Sequence, residues 1–95
     1  MTNPYLPKAY KLLSVTPETA IDYTFKVEYE GKLVGGQFME ISIPGIGEAP
    51  ISICGFDDTS LEMTIRKVGR LTDQVFDLQP GDSLFMRGPY GNGFD

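Results

Sequence analysis

Two stretches of the chain place an apolar residue at every second position, and this alternation limits the fold more than any other feature. It runs from residue 22 to residue 30 and again from residue 60 to residue 68. Its apolar members are Tyr23, Phe25, Val27, Tyr29, Leu61, Met63 and Ile65, and Lys67 falls on the same face at the end of the second stretch. A period of two is that of a β-strand with one buried face. We therefore predict an antiparallel strand over each stretch.

Glycine and proline divide the remainder into further short segments. Strands are predicted over residues 9–16, 37–43, 51–55 and 83–87, with turn residues between them. Residues 44–50 contain two prolines and two glycines, so we expect an exposed loop there. Residues 88–93 contain three glycines and are expected to leave the last strand as a flexible exit. Short strands at regular spacing predict a small all-β antiparallel barrel.

One short helix is expected between the last two strands. Thr72 has the side chain of a helix N-cap, and Asp73 follows in the first turn, where a negative charge is favourable. Val75, Phe76 and Leu78 give this helix a small apolar side. The turn at residues 79–82 ends it.

Composition excludes several classes of function. The 95 residues make one domain, and 8 Lys and Arg against 13 Asp and Glu oppose binding to nucleic acid. The chain has no His and a single Cys, so we expect neither a metal site nor the general base of a serine hydrolase. Cys54 has apolar neighbours and is expected to be a small buried side chain. No apolar run approaches ~18 residues, which predicts a cytoplasmic protein with no membrane span.

Two segments carry the chemistry that a cofactor needs. Arg66, Lys67 and Arg70 surround Gly69 just before the predicted helix start, and cations with backbone N–H groups at a helix start suit a pyrophosphate. The alternative is a basic strand edge before an ordinary capped helix. Residues 50–52 (Pro-Ile-Ser) offer an apolar wall and a hydroxyl to a planar ring, or are simply the start of a strand.

Four segments, taken together and in order, resemble the FAD-binding half of the ferredoxin–NADP reductase superfamily. They are residues 36–38 (Gly-Gln-Phe), 49–52 (Ala-Pro-Ile-Ser), 66–72 (Arg-Lys-Val-Gly-Arg-Leu-Thr) and 88–94 (Gly-Pro-Tyr-Gly-Asn-Gly-Phe). The likeness is to the branch that contains hydrogenase and sulfhydrogenase gamma subunits, one of the subunits of anaerobic sulfite reductase and the electron-transfer subunit of dihydroorotate dehydrogenase. It implies a six-stranded Greek-key barrel that binds FAD.

The resemblance also implies how the chain is organised and what it works with. Residues 1–8 would be an N-terminal arm, residues 9–90 the FAD-binding barrel, and residues 91–95 the start of a linker to an NAD(P)-binding domain of a longer subunit. That subunit would pass electrons between NAD(P)H and an iron–sulfur or catalytic partner subunit, with a 2Fe-2S cluster in the missing part or in the partner.

The family's flavin motif is Arg, any residue, Tyr, Ser, and the matching positions here are Ala49, Pro50, Ile51 and Ser52. The resemblance implies that Ser52 lies beside the flavin N5 and that Ile51 replaces the packing aromatic ring. Ala49 lacks the guanidinium that binds the pyrophosphate, and Arg66 is the expected substitute. The residues expected along the ribose, adenine and phosphates are Ile65, Arg66, Lys67, Gly69, Leu71 and Thr72. Loss of the motif's Arg and Tyr favours the alternative, a barrel that binds no flavin and serves as an interaction module in a multisubunit complex.

Overall fold

The computed structural model describes residues 7–43, 46–67 and 69–91, with the backbone alone at residues 43 and 70–72. Its elements, in chain order, are β1 (Lys8–Pro17), β2 (Asp22–Glu28), β3 (Phe38–Ile43), β4 (Gly47–Phe56), β5 (Ser60–Arg66), α1 (Arg70–Val75) and β6 (Ser83–Tyr90). The strands form a closed antiparallel barrel in the order β1-β2-β5-β4-β3-β6. Because β3, β4 and β5 are consecutive neighbours and β6 returns beside β3, the topology is a Greek key. The predicted six-stranded barrel with one short helix is confirmed.

The interior is filled by the alternating apolar residues of the strands. Of the predicted inward residues of β2 and β5, Tyr23 is half-buried and the others are buried, with Phe25, Val27, Leu61 and Met63 at 0% exposure. Inward residues of the other strands complete the core: Leu12, Met39, Ile41, Ile53, Leu84 and Met86. Burying one face of every strand holds the pairing register, because a shift by one residue would turn that face outward.

Helix α1 closes one end of the barrel. Val75 is 1% exposed, and the adjacent Phe76 stacks on Tyr23 of β2 with ring centroids 4.4 Å apart. The prediction that Thr72 is the N-cap is wrong, because the helix starts at Arg70 and the Asp73 N–H donates to the Gly69 carbonyl at 2.8 Å. That bond places Thr72 inside the first turn and Gly69 at the residue before the helix.

Strand β4 begins earlier than predicted. The loop expected over residues 44–50 is wrong from Gly47 onward, since Gly47 to Pro50 pair with β3 and Pro50 lies opposite Glu40; residues 44 and 45 lie outside the described residues. The Ile53 N–H donates to the Gln37 carbonyl at 3.0 Å, so hydrogen-bonded pairs alternate from there and Pro50 is in a non-hydrogen-bonded pair. Its nitrogen faces away from β3, where no ladder N–H is needed.

Strand β6 continues past its predicted end. The prediction of a flexible exit after Arg87 is wrong for residues 88–90, because β6 remains paired with β3 up to Tyr90. Arg87 lies opposite Glu40 and Tyr90 lies opposite Phe38, so β6 holds one extra residue in a β-bulge. The bulge brings the side chains of Arg87 and Tyr90 to the same outer face. Residues 92–95 of the predicted exit lie outside the described residues.

The environment of Cys54 also differs from the prediction. Cys54 is exposed, whereas the neighbouring Ile53 is only 9% exposed and belongs to the core. Successive residues of a strand face opposite sides, so an apolar run does not bury both. The Cys54 thiol instead donates to the Glu62 carbonyl at 3.3 Å. Among the described residues, no helix is long and apolar enough to cross a membrane.

Candidate cofactor site

The two segments predicted to hold a cofactor lie at the same end of the barrel. Pairing between β4 and β5 starts at Ile53 and Met63. Residues 49–52 and 65–67 both extend beyond that pair, toward the end that α1 closes. Helix α1 contacts β3 and β4 there. The structure therefore brings the Ala-Pro-Ile-Ser segment close to the basic run and the helix start.

The first half of β4 is paired on one side only. It pairs with β3 from Gly47 to Ser52, while its described pairing with β5 is confined to Ile53, Gly55 and Phe56. Ser52 is exposed, and within residues 7–43, 46–67 and 69–91 its hydroxyl makes no hydrogen bond. This hydroxyl is therefore available to a ligand at the free edge.

Successive residues of this segment face opposite sides of the sheet. Pro50 and Ser52 are exposed on the outer face, whereas Ile51 packs against the core cluster and Ala49 is half-buried. A ligand that contacts both Ile51 and Ser52 therefore has to lie along the unpaired edge of β4. Within the described part of the chain, no residue of β5 pairs with this edge from Gly47 to Ser52.

The end of β5 supplies one exposed cation that already has a partner. The Arg66 guanidinium is 63% exposed and contacts Asp22 through Nε to Oδ1 at 2.9 Å and Nη2 to Oδ2 at 3.3 Å. The hydrogen bonds from Arg66 and Thr19 hold the pKa of the Asp22 carboxyl below its usual value, and Asp22 raises the pKa of Arg66. Arg66 therefore carries a partly neutralised charge.

The neighbours of Arg66 contribute in different ways. Ile65 is 1% exposed inside the barrel, so only its backbone can face a ligand. Lys67 is exposed, its N–H donates to the Ile21 carbonyl at 2.7 Å, and its ammonium pairs with no carboxylate in the described part of the chain. Its charge is thus less compensated than that of Arg66.

The start of α1 is open to an approaching group. A Cβ added at Gly69 would meet no atom within 4 Å, so a ligand can come close to this backbone. The first helical bond is that of Asp73, so the N–H groups of residues 70–72 precede it and have no acceptor inside the helix. The predicted phosphate contacts of Leu71 and Thr72 involve two of these N–H groups and stay a prediction; the side chains of both residues lie outside the described part of the chain.

A second ion pair, between Arg87 and Glu48 on the outer face of the barrel, was not predicted. The Arg87 guanidinium contacts both carboxylate oxygens of Glu48 at 2.8 Å and donates from Nη1 to the Tyr90 hydroxyl at 2.7 Å. These bonds lower the pKa of Glu48 and raise that of Arg87. Alternation in residues 83–87 was enough to place Arg87 on the outer face, but only strand pairing reveals that it reaches across β3 to β4.

Comparison with known protein sequences gives relatives that align with most of this chain. No family model matches. The chain is 42% identical over 105 residues to the sulfhydrogenase 1 gamma subunit of Pyrococcus furiosus, covering 97% of the chain and 35% of that protein. It is 45% identical over 60 residues to a probable dihydroorotate dehydrogenase B (NAD(+)) electron transfer subunit of Methanopyrus kandleri, covering 63% of the chain and 23% of that protein. The chain thus spans about a third or less of these relatives.

Solved structures share the fold. The cytochrome b5 reductase domain of Ulva prolifera nitrate reductase superimposes with a TM-score of 0.75 at 17% identity, over 94% of this chain and 42% of that one. A ferredoxin NADP+ reductase from Neisseria gonorrhoeae, solved with bound FAD and NADP, gives 0.72 at 23% identity, over 93% of this chain and 39% of that one. The barrel of this chain is therefore the one that these reductases contain.

Proposed function

We propose that this chain is the FAD-binding domain of an electron-transfer subunit. It is homologous to sulfhydrogenase gamma subunits and dihydroorotate dehydrogenase electron-transfer subunits, and it has the barrel fold of the ferredoxin–NADP reductases. The observation that carries the proposal is the placement of the exposed Ser52 hydroxyl, on a half-paired strand, beside the basic end of β5 and the open start of α1. A planar ring with a phosphate tail needs these groups side by side.

The groups present fit FAD in chemistry and in access. Ser52 offers an uncommitted hydroxyl at the edge of β4, where the isoalloxazine ring would lie along residues 50–52. The open space at Gly69 admits a phosphate close to the backbone. Exposed cations flank this space at Arg66 and Lys67. The residues we assign to FAD are Ala49, Pro50, Ile51, Ser52, Ile65, Arg66, Lys67, Gly69, Leu71 and Thr72.

Each part of the chain has a separate task in this proposal. FAD, when bound, supplies the redox chemistry by accepting a hydride and giving up electrons singly. The Ser52 hydroxyl would donate a hydrogen bond to the flavin N5, and Ile51 would supply an apolar contact. Arg66 and Lys67 would neutralise the pyrophosphate, and the backbone N–H groups of Leu71 and Thr72 would donate hydrogen bonds to it. Ile65 takes part through its backbone only.

The activity of the complete protein is part of the same proposal. NAD(P)H would reduce the flavin from an NAD(P)-binding domain of the same chain, and an iron–sulfur or catalytic subunit would receive the electrons, in the cytoplasm. The relatives are named as a gamma subunit and an electron transfer subunit, and being subunits of larger proteins supports a partner of this kind. We propose that the barrel starts at Lys8 rather than at residue 9, because Lys8 already pairs with Met86, and that it ends at residue 90, with an arm before it and the linker start at 91–95.

Titration of the 95-residue chain with FAD tests the proposal directly. Binding is followed by the visible absorbance of the flavin and by equilibrium dialysis, with riboflavin as the ligand that has the same ring system but lacks the pyrophosphate and the adenosine. We expect FAD to bind more tightly than riboflavin, because the cations and the backbone N–H groups contact the pyrophosphate. If neither ligand binds, the barrel is an interaction module rather than a flavin site.

We further propose that this chain alone does not oxidise NADH or NADPH, even after loading with FAD. All the groups assigned above serve a single dinucleotide, and the relatives are about three times as long as the aligned segment, since 35% of the sulfhydrogenase gamma subunit is matched. Anaerobic mixing of the FAD-loaded chain with NADH, followed by flavin bleaching, is the measurement. Bleaching faster than that of free FAD would contradict this part of the proposal.

A further inference from the structure

We propose that Phe38 is an additional flavin-binding residue, whose aromatic ring contacts the isoalloxazine ring beside Ser52. The inference rests on the proposed function and adds a residue from outside the flavin motif at positions 49–52. It answers a specific problem at the site. Position 51 carries isoleucine, which packs against the barrel core and cannot offer an aromatic surface to a flavin.

Phe38 lies directly beside the proposed contact with N5. It is opposite Ser52 in the β3–β4 ladder. The bond from the Ile53 N–H to the Gln37 carbonyl makes the next pair, Phe38 with Ser52, a non-hydrogen-bonded pair. Side chains of such pairs are the closer kind, with Cα atoms about 4.5 Å apart.

The Phe38 ring lies on the outer face of the barrel together with Ser52. The residues that follow them, Met39 and Ile53, are buried at 1% and 9% exposure. Phe38 is half-buried and Ser52 exposed. Alternation therefore directs both side chains outward. A flavin ring that reaches the Ser52 hydroxyl from this face meets the edge or face of Phe38.

The ring is supported from the side opposite Ser52. Tyr90 of β6 packs against it with ring centroids 5.7 Å apart and a tilt of 42°. The Tyr90 hydroxyl is held by Arg87, which is itself anchored to Glu48 by two bonds. This chain of contacts begins on β4 at Glu48 and returns to β4 at Ser52 through the Phe38 pairing. It fixes the aromatic pair relative to the strand that carries the proposed site.

A second contact limits the movement of Phe38 along the strand. A Cβ placed on Gly91 would be 3.7 Å from the Phe38 Cδ1 atom, so the backbone of Gly91 lies beside the ring. The side-chain Nε2 of Gln37 donates to the Gly91 carbonyl at 3.2 Å, which holds this backbone in place. On the β4 side, the residue paired with Phe38 is Ser52, whose side chain is small. Phe38 is therefore both positioned and accessible, as a stacking partner needs to be.

The test compares Phe38→Leu with Phe85→Leu. Phe85 is 37% exposed on the same outer face, but it pairs with Ser42 and lies farther from Ser52 along the strands. Loss of the Phe38 ring is expected to weaken the binding of both FAD and riboflavin about 2- to 12-fold, because the contact is to the ring that they share. Phe85→Leu is expected to change either constant by less than about 2-fold.

Phe38→Tyr retains an aromatic ring and is expected to restore wild-type affinity for both ligands, with thermal melts showing that each variant is folded. The visible circular dichroism of the bound flavin should change in Phe38→Leu and not in Phe85→Leu. If the unchanged chain binds no flavin, the proposed function falls and this inference falls with it. If the unchanged chain binds and Phe38→Leu binds equally well, or loses FAD without losing riboflavin, only the role of Phe38 is overturned.

Discussion

Replacement of Gly88 by alanine is expected to be among the most destabilising changes that one methyl group can cause here. Gly88 has a φ of +131°, a conformation that L side chains rarely adopt. A Cβ at this position would lie 2.9 Å from the Met39 sulfur, 3.3 Å from the Phe38 carbonyl oxygen and 3.3 Å from the Tyr90 Cδ2 atom. The first contact is with a core side chain that is 1% exposed, so the sulfur has little space to move.

The magnitude follows from two separate effects. Holding alanine at such a φ costs about 1–3 kcal/mol, and overpacking a filled core costs about another 1–3 kcal/mol. Gly81→Ala is the matched control, because Gly81 has a φ of +97° but its added Cβ would meet no atom within 4 Å. The control should show the backbone cost alone. The two variants should therefore differ by about 1–3 kcal/mol in the free energy of unfolding, or roughly 5–20 °C in Tm.

Urea unfolding followed by circular dichroism, with a thermal melt beside it, measures both variants against the unchanged chain. Equal destabilisation by Gly88→Ala and Gly81→Ala would show that the Met39 contact has no energetic weight and would refute the packing argument. A destabilised Gly88→Ala that still binds FAD normally at low temperature would separate the stability of this region from its role in binding.

Three further predictions concern the charged and polar groups of the site. Arg66→Ala should raise the Kd for FAD roughly 10- to 150-fold while the chain stays folded. Lys32→Ala, at the opposite end of the barrel, is the control and should not change the Kd. An unchanged Kd in Arg66→Ala would mean that Lys67 or other cations bind the phosphates. Ser52→Ala should raise the Kd only about 2- to 12-fold, because it removes a neutral hydrogen bond, and a flavin titration that gives a loss as large as that of Arg66→Ala would contradict this role. Asp22→Asn should lower the Tm at neutral pH, and its difference from the unchanged chain should shrink as the pH falls below the unfolded pKa of about 3.9. Hydrogen bonds from Arg66 and Thr19 lower the folded pKa of Asp22, so its contribution to stability is present above the unfolded pKa and is lost as the pH falls through the folded one. A Tm difference that stays constant into the acid range would exclude this linkage.

The barrel itself was predictable because each strand buries one face. The period of two in β2 and β5 identified Phe25 and Met63 as core residues without any knowledge of their neighbours. The same rule, applied to β4, would have placed Cys54 outside, since Ile53 is inside. The apolar character of its neighbours was the wrong signal, because neighbours in a strand do not share an environment.

Features that depend on pairing partners could not be predicted. Pro50 is accepted in a strand because it is in a non-hydrogen-bonded pair with β3 and because the described pairing with β5 begins only at Ile53. Gly88 and its neighbours continue β6 because Phe38, far away in sequence, pairs with Tyr90. Local composition at both places is that of a loop.

The candidate site was predicted in part for the same reason. The exposed Ser52 and the basic run could be identified as neighbours from a resemblance among whole segments, and the structure places them at one end of the barrel. The sequence did not predict the two salt bridges of this region, which join residues of different strands: Arg66 with Asp22, and Arg87 with Glu48. Such contacts need the register of the sheet, which no pattern within a single strand contains.

The position of Pro50 has a consequence for how this protein behaves in a crowded solution. A half-paired strand normally exposes a row of N–H and C=O groups that another chain can join as an extra strand. At Pro50 the nitrogen turned toward that edge carries no hydrogen, so an incoming strand would lack a donor in the middle of the exposed segment. The residue that made this segment look like a loop thus removes a hydrogen-bond donor from a half-paired edge, which disfavours the addition of a strand from another chain.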